Sequence, residues 1–217
     1  MLRNLLPMLS AYHNRLKSQG YAYVIGIDEA GRGPMAGPVV AAAVILKTDQ
    51  FSSPIRDSKK LTAIQREKAF MEITENSIYG VGMINETVID IVNIYEATLL
   101  AMHNAVAQVV LQLPKEEINR EDFKDRVYLL IDGNHFKTDM PFPYETVIKG
   151  DDKELSIACA SIIAKVTRDR ILAMYDKIYP QYGFGKHKGY LTALHRKAIE
   201  THGFSSIHRR SFQFNEI

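Results

Sequence analysis

The sequence predicts a single α/β domain with a mixed central β-sheet flanked by helices and a C-terminal helical extension. Three observations carry that prediction. Short β-prone apolar runs alternate with segments of helical period, no repeat or linker divides the chain, and the composition turns basic and histidine-rich after Pro180. At 217 residues and 46% apolar content, the chain can fill one real core and is excluded from the disordered class. One domain over 1–217 is expected, with the α/β core at about 21–178 and the basic extension at about 179–217. The elements do not alternate strictly, so a mixed sheet is expected in place of pure βαβ winding.

Met1–Gly20 has the pattern of an amphipathic helix. Tyr23, Ile25 and Ile27 alternate with smaller residues, and Pro38–Leu46 is wholly apolar, so both are expected to be buried strands. Thr62 and Gln65 fit a capping box, and Ile64, Ala69, Phe70 and Ile73 follow at helical spacing. Ser77–Ile84 is a third strand. Thr87–Val110 is a long helix with Ile91, Ile94, Tyr95, Thr98 and Met102 along one side. Residues 114–126 carry dense charge of both signs, as a solvated loop does. Val127–Asp132 and Tyr144–Lys149 are short strands, and Glu154–Tyr175 is a helix whose small residues allow tight packing on the sheet. A last helix is expected near Leu191–Thr201.

The longest apolar run, Val39–Leu46, is far short of the roughly 20 residues that cross a bilayer. The first twenty residues lack the apolar stretch of a secretory signal. The single cysteine, Cys159, cannot form an internal disulfide, so a reducing cytoplasm is the expected compartment.

Three strand ends deliver acid beside glycine. Asp28 and Glu29 precede Gly31-Arg32-Gly33, Asp132 precedes Gly133, and Asp151 follows Gly150. Adjacent carboxylates at the end of an apolar strand are costly to desolvate and call for a cation. Taken singly, each has a plain structural reading as a turn-former or helix cap. Together they form an oxygen-only donor set, which favours Mg2+ or Mn2+ over zinc and suits two-ion hydrolysis of a phosphodiester. A dinucleotide loop fits poorly, because Gly31-x-Gly33-x-x-x-Gly37 is one residue too long and leads into a β-prone run. Gly31 and Gly33, lacking Cβ atoms, let the backbone come close to a ligand.

The segment Gly26–Leu46 (GIDEAGRGPMAGPVVAAAVIL), with Asp57–Leu61 (DSKKL), Leu130–Asn134 (LIDGN), Lys149-Gly150-Asp151 and Ser156–Asp169 (SIACASIIAKVTRD), closely resembles bacterial ribonuclease HII, block by block in the family's order. The resemblance implies a ribonuclease H-like fold and endonucleolytic cleavage of RNA paired with DNA, including single ribonucleotides in duplex DNA. It implies that Asp28, Glu29, Asp132 and Asp151 are the metal-binding catalytic carboxylates for two ions, Mg2+ or Mn2+. It further implies that Gly31-Arg32-Gly33 recognises the ribonucleotide 2′-hydroxyl, the group that separates RNA from DNA. Tyr190 matches the tyrosine that stacks beside the ribose, although an aromatic at a helix start more often packs in a core. Lys59, Lys60, Lys165 and Arg168 are candidate phosphate contacts. Arg32 and Asp151 favour this family over the related ribonuclease HIII group.

Cys159 stands where the family usually has a smaller residue, and Asp152 duplicates the acid after Gly150. His187, His195, His202 and His208 have no zinc spacing and are expected to make backbone or phosphate contacts at most. A non-catalytic nucleic-acid-binding module on the same fold is the competing class. Four retained acids disfavour it, since they repel a polyanion. The expected partners are RNA/DNA hybrid and ribonucleotide-containing duplex, with no membrane, no obligate protein partner and a monomeric state. The formal charge of +2 conceals a segment, Lys186–Arg210, with six Lys and Arg against Glu200 alone. That +5 leaves −3 for the rest, since 2 − 5 = −3, and points to a nucleic-acid partner.

Overall fold

The computed structural model describes residues 11–134 and 136–212. Five strands, β1 (Tyr23–Ala30), β2 (Val39–Leu46), β3 (Ser77–Ile84), β4 (Val127–Asp132) and β5 (Tyr144–Val147), form one sheet in the order β3-β2-β1-β4-β5. β1–β2 and β2–β3 are antiparallel, while β1–β4 and β4–β5 are parallel. The helices are α1 (Ala11–Ser18), α2 (Ala63–Glu75), α3 (Glu86–Val110), α4 (Lys115–Ile118), α5 (Gly150–Lys153), α6 (Leu155–Ile178), α7 (Phe184–His187) and α8 (Ala193–His202).

β2 is buried almost throughout because both sheet faces are covered. On one face Ile25, Ile27 and Ile131 pack with Met102 and Val106 of α3. On the other, Val40, Ala42 and Val44 pack with Ile162, Ile163 and Val166 of α6. α6 lies very close to β1. A Cβ placed on Gly26 would stand 2.3 Å from the Ser156 carbonyl carbon, so only glycine permits the approach. The small residues of α6 complete it, for every residue from Leu155 to Ala164 is buried.

Several expectations need correction. Residues 1–10 of the expected N-terminal helix lie outside the described residues; the described part, α1, buries Leu16 against Val24, Leu130 and Ile157. Ile64 and Ile91, expected on apolar faces, are exposed. For Ile91 the reason is a break at Asn93, which takes φ +72° and uses its Oδ1 to accept from the N–H groups of Tyr95 and Glu96. Asn93 thus recaps the helix and resets its phase after the first turns. Segment 114–126 is more structured than a solvated loop: it forms α4 and a 3-10 turn, Phe123–Arg126, with Phe123 buried in the core. The fifth strand stops at Val147, because Lys149 adopts a left-handed conformation and starts α5.

The extension after Pro180 folds back onto the sheet end. Tyr182, Phe184, Ile199 and Ile207 form a separate apolar cluster with Ala36 and Leu172.

Candidate active site

The parallel β1–β4 register pairs Ile27 with Ile131. One residue further on, Asp28 and Asp132 therefore stand side by side where the two strands end, the place where α/β sheets gather their ligands. Glu29 follows on β1, and the chain leaves the strand at Gly31, with φ +98°. Asp151 sits on α5, just beyond β5. Asp28, Glu29 and Asp132 line a cleft of about 440 Å3 together with Gly31–Gly33 and Tyr190. A larger hollow of about 540 Å3, between α3 and Lys137–Asp139, holds none of the four acids.

The acids resist ionisation together. Burial, then the charges of Glu29 and Asp132, push Asp28 well above the ordinary carboxylate range. Burial lifts Glu29 to about 7 against the opposing pull of Arg32, with Asp132 adding to the rise. Burial and then Asp132 raise Asp151 to about 6. The Asp132 Oδ1 accepts from the Gly150 N–H at 2.6 Å, which ties the β4 end to the start of α5. Beneath Asp28 the Ser58 and Ser161 hydroxyls meet at 3.0 Å.

The expected phosphate contacts separate into different roles. Lys59 is exposed and lines the cleft. Lys60 turns to Asp152, with its Nζ 2.6 Å from both carboxylate oxygens, so Asp152 is paired outside the cleft lining. Lys165 lines the cleft but pairs with Asp169 at 2.7 Å. Arg168 also lines the cleft, but its guanidinium is engaged by the protein itself. It is buried, and its guanidinium donates to the carbonyls of Pro38, Lys188 and Ala36 at 2.9 Å each. Arg32 lies 3.5 Å from Glu29 and over the Phe136 ring.

Tyr190 is 49% exposed and sits beside Gly33 on the cleft wall, instead of in a core. Behind it the histidines form a chain of backbone contacts. The Ser205 N–H donates to His208 Nδ1 at 2.9 Å, so His208 must carry its proton on Nε2. That proton faces His195 Nε2 at 3.0 Å, and His195 Nδ1–H in turn donates to the Tyr190 carbonyl at 2.9 Å. Both rings are neutral, since burial lowers each to about 4.

Residues that sequence reasoning missed are Ser58, Ser161, Phe136 and Arg209. The serines fall inside the recognised blocks. Arg209 belongs by charge count to a basic wall, yet it is buried and donates to the carbonyls of Gly31, Arg32 and Gly37. Nothing local marks a partner 178 residues away.

The mixed five-stranded sheet and its flanking helices are of the ribonuclease H-like fold class. A family model described as Ribonuclease HII matches residues 25–215. The chain is 48% identical over 205 residues, 94% of its length and 74% of the relative's, to a Ribonuclease HII of Bacillus cereus. It belongs to the ribonuclease HII family, and is thereby a ribonuclease H. Among solved structures it is similar to the ribonuclease H2 of Pyrococcus horikoshii OT3, with a TM-score of 0.66, 24% identity and coverage of 88% of this chain and 94% of that one. It is also similar in fold to Bst-RNase HIII solved in complex with Mn2+, with a TM-score of 0.61, 19% identity, and 85% and 64% coverage.

Proposed function

We propose that this chain is a Mg2+- or Mn2+-dependent endoribonuclease that cuts the RNA strand of RNA/DNA hybrids and cuts duplex DNA on the 5′ side of an embedded ribonucleotide, leaving 3′-hydroxyl and 5′-phosphate ends. The observation that carries this reading is that Asp28, Glu29 and Asp132 line one cleft together with a glycine loop and an exposed tyrosine, with Asp151 close enough for the Asp132 charge to oppose its ionisation. As the side chains stand, no three Asp, Glu, His or Cys groups among the described residues converge closely enough to ligate one ion. The donors nevertheless fit hard cations. All are carboxylate oxygens, and Glu29 Oε2 is buried without a hydrogen-bond partner among the described residues. Asp28, Glu29, Asp132 and Asp151 would hold two ions. When bound, such ions supply the Lewis acidity that activates water and offsets charge on the reacting phosphate.

The protein's own groups bind and orient the substrate. Arg32 and Gly33 present backbone N–H groups to the ribonucleotide 2′-hydroxyl, which a deoxynucleotide lacks. Tyr190 stacks on the adjoining sugar, and Lys59 and Lys165 draw the phosphates to the cleft. The setting is cytoplasmic and monomeric, in ribonucleotide removal and in primer or R-loop clearance. No described helix is long and apolar enough to cross a membrane. A binding-only module is disfavoured, because four clustered acids oppose a polyanion unless cations offset them.

The direct test is incubation with a duplex containing one ribonucleotide, with and without Mg2+. Cleavage only with the ion is expected, whereas intact substrate at high enzyme concentration would sink the nuclease reading.

Ion affinity is expected to depend on pH. Glu29 and Asp151 hold protons up to about 7 and about 6, so an ion must displace them in acid. Affinity for Mn2+ therefore rises as pH increases from about 5.5 to about 7.5 and then levels. Calorimetric titration across that range checks it, and a flat profile would contradict the proton competition.

Tyr190→Ala is expected to lower cleavage of a single-ribonucleotide duplex by about ten-fold while changing binding less than about three-fold, within the range for one stacking contact. Equal losses in both would favour a packing role.

A further inference from the structure

Two buried guanidiniums serve the carbonyls of the loop Gly31–Pro38, whose Met35 and Gly37 N–H groups donate to the Gly189 and Ile207 carbonyls. Arg168, from α6, serves the carbonyls of Ala36 and Pro38 and ties them to that of Lys188. Arg209, from the extension, serves the other end. Its Nη1 donates to the Arg32 carbonyl at 2.9 Å, its Nη2 to those of Gly31 and Gly37 at 2.6 Å, and its Nε to that of Gly37 at 2.9 Å.

Neither arginine has a carboxylate in ion-pair contact among the described residues. A buried acid that senses both charges is Glu86, whose Oε1 has no described partner. A guanidinium placed in such a site with only carbonyls to serve has a desolvation cost that simple packing would avoid. The segment that carries it is anchored separately. The Arg209 N–H donates to the Met35 carbonyl, and Asp90 accepts from the N–H groups of Arg210 and Ser211.

In a trans peptide the C=O and N–H point in opposite directions. A carbonyl of Gly31 fixed on the protein side therefore turns the Arg32 N–H the other way, and a fixed Arg32 carbonyl does the same for the Gly33 N–H. Both residues line the cleft, and neither N–H donates to any described residue.

We propose that Arg209 is the positioning residue for ribonucleotide discrimination, fixing two successive peptide planes so that the Arg32 and Gly33 N–H groups face the 2′-hydroxyl. This rests on the reading of Gly31-Arg32-Gly33 given under the proposed function. The planar fork is needed, because a lysine ammonium is a single point donor and cannot span carbonyls of three residues.

The test uses the full chain in an Asp132→Asn background, which leaves the substrate uncut. Affinity is compared for a duplex with one ribonucleotide and for the same duplex in all-DNA form. Arg209→Lys is expected to reduce the preference for the ribonucleotide by about ten-fold while leaving all-DNA affinity within about two-fold, as losing two aligned hydrogen bonds would. Arg168→Lys, which removes donors to Ala36, Pro38 and Lys188 but none to the carbonyls of Gly31 or Arg32, although the Arg168 side chain packs against Gly31, is expected to keep most of the preference. Retention of the preference in Arg209→Lys, or equal loss in the two variants, overturns the proposal. A background with no preference at all overturns the underlying 2′-hydroxyl reading as well.

Should Arg209→Lys fail to fold, amide hydrogen exchange in the Asp132→Asn protein decides. The Arg32 and Gly33 amides are expected to exchange freely alone and to gain protection with the ribonucleotide duplex but not with the all-DNA one. Protection already present in the free protein, or equal protection by both duplexes, overturns the proposal.

Discussion

Asp132→Asn is expected to lower turnover by about a thousand-fold or more, the scale of losing several kcal/mol of charge stabilisation in the transition state. The amide keeps the side-chain volume and an oxygen to accept from the Gly150 N–H, so the strand end should stay in place. What disappears is the charge that presses on Asp28, Glu29 and Asp151 together. Two further results follow from that loss. Affinity for an RNA/DNA hybrid should be unchanged or tighter, since one negative charge has been removed from a polyanion site. The protein without added metal should also unfold at a higher temperature, because mutual repulsion among buried acids is relieved. Normal turnover in this variant would remove Asp132 from the chemistry.

Gly26→Ala is expected to be strongly destabilising. Its Cβ would meet backbone on the far side, 2.3 Å from the Ser156 carbonyl carbon and 2.5 Å from the Ile157 nitrogen, so no side chain can swing away. Helix α6 must move off β1, at about 3 kcal/mol. For a chain of this length that lowers the unfolding temperature by about 6–12 °C, readable by calorimetry. A shift below about 2 °C would mean that the helix and strand are less tightly apposed than described.

The parts of this molecule legible in its sequence are those set by local pattern. The apolar run ending at Leu46 and the alternation from Ser77 to Ile84 mark β2 and β3 closely, and the Thr62–Gln65 capping box is formed as expected. The acids can be found because strand ends followed by glycine are visible one segment at a time. Their mutual placement is not visible, for it depends on the parallel register of β1 with β4 across a hundred residues.

Helix phase fails at Asn93, where a left-handed residue recaps α3 within what reads as one continuous period. Arg168 and Arg209 escape sequence reasoning for a different reason. A charge count treats every arginine as surface, whereas these two satisfy backbone carbonyls more than 100 residues away in sequence, Lys188 excepted. The basic character of Lys186–Arg210 is accordingly reduced by one buried guanidinium.

In the proposed reaction Asp28, Glu29, Asp132 and Asp151 direct water at the phosphate on the 5′ side of a ribonucleotide, and the 2′-hydroxyl, which could attack only the phosphate on its 3′ side, is not the nucleophile. Mapping the ends left on a duplex with a single ribonucleotide tests it most directly. The expected products are a DNA fragment ending in a 3′-hydroxyl and a fragment that begins with a 5′-phosphate on the ribonucleotide, formed only when Mg2+ or Mn2+ is supplied. A cut on the 3′ side of the ribonucleotide leaving a 2′,3′-cyclic phosphate, formed equally well without divalent ions, would contradict it.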